Sequence, residues 1–184
     1  MDGSQDALRE ALKRTAVALK KADVPFALTG GYAVWARGGP EPDHDVDFLV
    51  AYDDVEQAEQ ALRADGLEVV HPPEDWLFKV HVDGATVDLI HRHSGGPAQR
   101  STVEDADVFE VLSVEMPVLS ATEVTVEKLL ALDEHYCDFG AVIPVVRALR
   151  EQVDLDRVRA ETAHSPFAAS LLFLLERLDV VPPA

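Results

Sequence analysis

Apolar positions in the first third of the chain run first in a helical and then in a strand-like rhythm. Leu8, Leu12, Ala16 and Leu19 recur at helical spacing and predict an amphipathic helix from Asp6 to Lys21, ended by Pro25. The run Phe26-Ala27-Leu28-Thr29 predicts a short buried strand that reaches a turn at Gly30-Gly31, with a helix from Tyr32 to Arg37 behind it. Gly38, Gly39, Pro40 and Pro42 mark a loop. Asp45 to Val50 reads as a second strand, and Val55 to Ala64 as a helix closed by Gly66. Three further strands are expected at Leu67 to Val70, Leu77 to Val82 and Thr86 to Ile90, the last two joined in a hairpin at Asp83-Gly84.

The rhythm changes after this point. A polar stretch from Ser94 to Asp105 and a strand-like segment at Val114 to Leu119 lead into helical patterns at Thr122 to Tyr136, Phe139 to Arg150, Asp154 to Ala163 and Pro166 to Leu178. The last has Ser165 as N-cap, Pro166 at its first position and Phe167, Leu171, Leu174, Leu175 and Leu178 on one stripe, so it is a packing helix. The predicted class is α+β: a mixed sheet with flanking helices over residues 1–120, followed by a small helical bundle over 121–184, with the boundary near Ser120.

Composition limits what such a chain does. At 184 residues and 47% hydrophobic content it can bury one sizeable core, or one core and a small bundle. No apolar run reaches the length of about 18 to 20 residues that spans a bilayer, and the start, MDGSQDALREALKR, lacks the apolar stretch of a signal peptide. A cytoplasmic protein with no membrane partner is expected. The single cysteine, Cys137, has no partner for a disulfide or a zinc site and is expected as a small core residue. With 34 acidic residues against 16 Lys and Arg, the net charge of -18 repels polyanions and attracts cationic partners. Spread over solvated faces, it also serves solubility.

The chemistry gathers in the first half. Asp45 and Asp47 lie two apart on a predicted strand, so both carboxylates point to one face while Val46 and Phe48 point into the core. Two like charges side by side are unfavourable unless a hard divalent ion lies between them, and oxygen ligands suit Mg2+ with substrate phosphates. Asp88, flanked by apolar residues in Thr86-Val87-Asp88-Leu89-Ile90, is hard to explain as a core position and is the candidate third ligand. Its structural alternative is a turn cap or a pair with Arg92. Gly30-Gly31, at a strand-to-helix turn, would let backbone N–H groups approach phosphates closely.

Leu28-Thr29-Gly30-Gly31, Asp45-Val46-Asp47-Phe48 and the later Asp88 together resemble the signature of the polymerase-beta-like nucleotidyltransferases. The segment GGYAVWARGGPEPDHDVDFLV is similar to the same stretch in aminoglycoside and lincosamide nucleotidyltransferases, and EKLLALDEHYCDFGAVIPVVRALREQVDLDRVR resembles the AbiEii toxin family. The resemblance implies transfer of a nucleoside monophosphate from a nucleoside triphosphate such as ATP to an acceptor hydroxyl, with pyrophosphate leaving. Asp45 and Asp47 would each serve two Mg2+ ions and Asp88 only the ion near the acceptor, where it also takes up the hydroxyl proton. Lys128, placed at a helix opening, resembles a triphosphate-contacting lysine; an exposed lysine in a helix pair is its plain alternative.

The acidic surface favours a cationic acceptor such as an aminoglycoside, linked to antibiotic resistance. The toxin-like half implies transfer to tRNA, with an antitoxin as partner. A module that binds nucleotide or forms complexes without turnover is the alternative to an enzyme. One departure stands out: where many relatives carry Arg-x-Thr before the acidic pair, this chain has Glu41-Pro42-Asp43. Among the remaining residues, His44, His81, His91 and His93 are read as solvated or hydrogen-bonded rather than zinc ligands, Trp76 as rim or core packing with stacking on a base or acceptor ring as its alternative, and Arg37 and Arg92, the cations nearest the acids in sequence, as surface arginines with phosphate contact as their alternative.

Overall fold

The computed structural model describes residues 3–93 and 96–183, so Ser94 and Gly95 of the predicted polar stretch lie outside the described residues. The elements, in chain order, are α1 (Gly3–Lys21), β1 (Phe26–Thr29), α2 (Gly30–Ala36), β2 (Val46–Val50), a 3-10 turn (Tyr52–Asp54), α3 (Val55–Ala64), β3 (Glu68–Val70), β4 (Leu77–Val82), β5 (Ala85–Ile90), β6 (Arg92–His93), β7 (Gly96–Pro97), α4 (Arg100–Glu104), β8 (Asp107–Val111), β9 (Val114–Val118), α5 (Ala121–Leu130), α6 (Phe139–Leu149), α7 (Leu155–Thr162) and α8 (Pro166–Arg177). The class is α+β. No helix among the described residues is long and apolar enough to cross a membrane.

The chain divides into two compact units, Met1–Ala36 with Glu41–Leu119, and Arg37–Pro40 with Ser120–Ala184. In the first unit a seven-stranded sheet runs in the order β3-β4-β5-β2-β1-β9-β8. β2 lies parallel to β5 and β1 parallel to β9, while the other pairs are antiparallel. Side chains alternate between faces. One face carries Phe26, Leu28, Val46, Phe48, Val80, Val87 and Leu89, all fully or nearly fully buried, with Phe26 and Phe48 meeting edge to face at 5.4 Å. Leu12, Ala16 and Leu19 of α1 are likewise buried, and α1 lies along β2, β4, β5 and β9 and against α3.

Local chemistry sets the element ends. Gly66 follows α3 with a φ of 80°, and the Leu67 amide donates to the Leu62 carbonyl at 3.0 Å, a left-handed helix cap that favours glycine. Asp83 and Gly84 both take positive φ, 49° and 86°, the mirror-image turn that matches strand twist in a two-residue hairpin.

The second unit packs α5 against α6, α7 and α8 around Leu129, Val146, Leu149, Val158, Ala168, Leu171 and Leu175. Each of these helices begins at a side-chain cap: Ser120, Asp138, Asp154 and Ser165 accept the amides of Glu123, Ala141, Arg157 and Ala168. α5 stops at Leu130 rather than Tyr136, because the Asp133 carboxylate accepts the His135 and Tyr136 amides at 2.7 and 2.8 Å and turns the chain. That turn leaves Tyr136 and Cys137 exposed, so Cys137 is not a core residue.

Candidate active site

The register of β2 and β5 fixes where the acids stand. Asp45 lies one residue before β2 and is exposed; Asp47 is half-buried within it. In the parallel register of β2 and β5, Asp47 is the direct neighbour of Asp88. A carboxylate oxygen from each of Asp45, Asp47 and Asp88 lies within 4.8 Å of the others, and this is the group among the described residues with a metal-holding arrangement. The donors are hard oxygens, two from one strand end and one from its neighbour, a set suited to Mg2+ or Mn2+ and unsuited to zinc in its usual nitrogen and sulfur company. Like charges held this close favour a bound cation.

The same register continues on both sides. Thr29 pairs with Asp47 across β1 and β2, and Lys79 pairs with Asp88 across β4 and β5. One face of the sheet therefore carries a polar row, Thr29, Asp47, Asp88 and Lys79, over four adjacent strands. Asp88 is only 8% exposed, and the Lys79 ammonium donates to both of its carboxylate oxygens at 2.8 Å. Its ion-pair partner is thus Lys79 and not Arg92, whose guanidinium lies 4.8 Å over the Tyr52 ring instead.

Gly30 and Gly31 form the first two residues of α2, directly after β1. Gly30 has a φ of 59°, and a Cβ placed there would stand 1.8 Å from Asp47 Oδ2 and 2.9 Å from Asp47 Cβ. A Cβ at Gly31 would stand 2.7 Å from Pro42. Both glycines are therefore required by the close approach of the acid-bearing strand and of the loop before it.

Solved structures share this architecture. ANT(2'')-Ia, an antibiotic-resistance factor crystallised in complex with adenylyl-2''-tobramycin, superposes with a TM-score of 0.61 at 12% identity, over 90% of this chain and 97% of that one. An antigenic nucleotidyltransferase-like protein from Paracoccidioides brasiliensis matches at 0.52 and 12% identity, over 95% and 89% of the two chains. A lincosamide antibiotic adenylyltransferase with lincomycin bound matches at 0.50 and 13% identity, over 73% and 91%. The fold is that of the nucleotidyltransferases. No protein-family model matches the chain, and no curated protein matches it in sequence.

Within this nucleotidyltransferase fold, the loop that leads into Asp45 is tied down by residues absent from the sequence signature. Arg9 of α1 donates to both carboxylate oxygens of Glu41 at 2.7 Å, the position at which this chain departs from Arg-x-Thr. The Arg9 guanidinium also lies 6.0 Å from the centre of the Trp35 ring, and Trp35 meets the buried Tyr32 edge to face. Arg9 holds the Glu41 carboxyl below its ordinary value of 4.5, chiefly through that hydrogen bond. Burial, with the Glu41 charge adding to it, pushes the Tyr32 phenol up to about 12.

Because folded Glu41 binds its proton more weakly than the unfolded chain does, the stability it contributes is in place above pH 4.5 and is lost as the pH falls below that value. Urea melts between about pH 6 and 3 are expected to fall more steeply for the parent than for Glu41→Gln. Equal slopes would mean that the pair does not hold the loop.

The remaining candidates are dispersed. Lys128 lies in the last turn of α5, not at a helix opening, because α5 already starts at the Ser120 cap. Arg37 belongs to the second unit, where its carbonyl accepts from Gln152 at 2.9 Å. His44, His81 and His93 are exposed and His91 is buried, its pKa lowered first by that burial and then by Arg92. Among the described residues no histidine joins a cluster with metal-ligand spacing. Trp76 is 43% exposed.

Lys79, Arg9 and the row position of Thr29 are the residues that motif reading passes over. For Lys79 a signal exists: it interrupts the apolar run Leu77-Phe78-Lys79-Val80 in the way Asp88 interrupts its own strand.

Proposed function

We propose that this protein is an Mg2+-dependent nucleotidyltransferase that transfers a nucleoside monophosphate, AMP from ATP in the first instance, to a hydroxyl of a cationic small molecule. The observation that carries it is the meeting of Asp45, Asp47 and Asp88 within 4.8 Å, with Gly30 against Asp47. Asp45 and Asp47 would hold the ion, with Asp88 completing the set on the acceptor side. When bound, a divalent ion supplies positive charge to phosphate oxygens and lowers the cost of bringing a triphosphate to an acidic face. Gly30 and Gly31 would serve the triphosphate indirectly, by letting the acid-bearing strand and its preceding loop pack against the start of α2. The acceptor oxygen forms the new bond to the α-phosphorus, the bond to the leaving pyrophosphate breaks, and Asp88 takes the hydroxyl proton.

The net charge of -18 supports a cationic acceptor, since phosphate-rich partners are repelled by such a field. The structural neighbours solved with adenylyl-tobramycin and with lincomycin are in keeping with a small antibiotic-like acceptor. Transfer to tRNA, with an antitoxin partner as the AbiEii resemblance implies, is the competing outcome, and binding without turnover is the other.

Ligand binding tests the proposal first. A magnesium triphosphate at about 100 times its Kd adds about 2.7 kcal/mol, which for a chain of this size is a rise in Tm of about 5 to 10 °C. No shift with Mg2+ and any of the four common triphosphates would overturn the proposal. Labelled triphosphate offered with an aminoglycoside pool and, separately, with a tRNA pool then distinguishes the acceptors. A melting shift without label transfer to either pool would favour the module that binds and does not turn over.

A further inference from the structure

We propose that Lys79 is a displaceable counter-ion for Asp88, holding the third carboxylate while no divalent ion is there and competing with such an ion for it. The proposal rests on the metal-binding function proposed above. Asp88 lies between two neighbours in one sheet row, Lys79 on β4 and Asp47 on β5's other side in β2. A carboxylate on a side chain withdrawn from water to 12% exposure needs a partner, and the Lys79 ammonium, at 2.8 Å from both oxygens, fills that need. An ion of charge +2 placed on the same carboxylate would face that ammonium across a few ångströms, so the ion pair and metal coordination by Asp88 oppose one another.

The lysine can yield. Its side chain is 32% exposed, so the flexible four-carbon stem has a route by which the ammonium can reach water when a metal takes its place. Competition with the ammonium holds back metal occupancy at Asp88 until the substrates bring further coordination.

Manganese binding to the full chain, without nucleotide, followed by electron paramagnetic resonance, tests this directly. Lys79→Met keeps the stem and removes the charge, and is expected to bind Mn2+ at least about tenfold tighter than the parent, while its metal-free Tm falls and recovers on adding Mn2+. Lys79→Arg keeps the charge and should bind as the parent does, and Lys79→Gln serves if Lys79→Met does not fold. In an Asp88→Asn background, Lys79→Met should change the Mn2+ affinity by less than about threefold. Unchanged or weaker Mn2+ binding by Lys79→Met would overturn the proposal, as would the same tightening in the Asp88→Asn background. Absence of Mn2+ binding by the parent itself would instead remove the metal-dependent function on which it rests.

Discussion

Asp47→Asn is expected to fold and to lose nucleotide transfer by roughly a thousandfold or more, about 4 kcal/mol of barrier at about 1.4 kcal/mol for each tenfold. Asparagine has nearly the shape of aspartate, so the close packing of Gly30 against this side chain is preserved. What changes is charge. Asp47 stands next to Asp88 in the sheet and within 4.8 Å of both other carboxylates, so its charge lies where a divalent ion would be held. The rise in Tm produced by magnesium triphosphate is therefore expected to be lost, whatever the metal-free Tm. A purely structural role predicts a lower Tm with that rise, and turnover per folded molecule, unimpaired. Melting curves and label transfer measured on one preparation separate these cases, and transfer at the parental rate would remove Asp47 from the chemistry.

How much of this was legible in the residues depends on the turn chemistry in each region. The β4–β5 hairpin was readable because Asp83-Gly84 has the composition its turn demands, and both residues take positive φ. A two-residue turn also fixes register, so Lys79 opposite Asp88 follows from counting back on both sides of Asp83-Gly84. That count was within reach of the sequence. The β8–β9 hairpin was not, because its turn is Leu112-Ser113, with φ of 52° and 65° at residues that rarely accept such values. β8 is also an edge strand with Val108 69% exposed, so its pattern lacks a clean apolar face. α4, five residues inside a polar stretch, is held by contacts from afar, among them the pair between Arg100 and Asp54. Short polar helices of this kind have no periodicity to find. The acids of the site were legible because a charge inside an apolar strand is costly and so conspicuous. The Arg9–Glu41 tie, 32 residues apart in sequence, had no local signature.

Gly30→Ala is expected to lower turnover per folded molecule by about a hundredfold and stability by about 1 to 3 kcal/mol. Two separate effects add. The backbone at Gly30 has a φ of 59°, where an L side chain costs roughly 1 kcal/mol or more. The new methyl group would also meet Asp47 at 1.8 Å from Oδ2, 2.7 Å from Cγ and 2.9 Å from Cβ. The Cβ contact cannot be relieved by rotating the carboxylate, so β2 or the start of α2 must move, and Asp47 moves with it relative to Asp88. Gly66→Ala separates the two effects. Gly66 has a φ of 80° and nothing within 4 Å of an added Cβ, so its substitution strains the backbone without a clash. It should lower stability by about 1 kcal/mol and leave turnover per folded molecule as in the parent. Urea melts give the stability of each variant, and label transfer corrected for the folded fraction gives the turnover. Should Gly30→Ala lose stability as Gly66→Ala does and keep the parental turnover, the packing of α2 against the acid-bearing strand would have no part in setting the geometry of the three carboxylates.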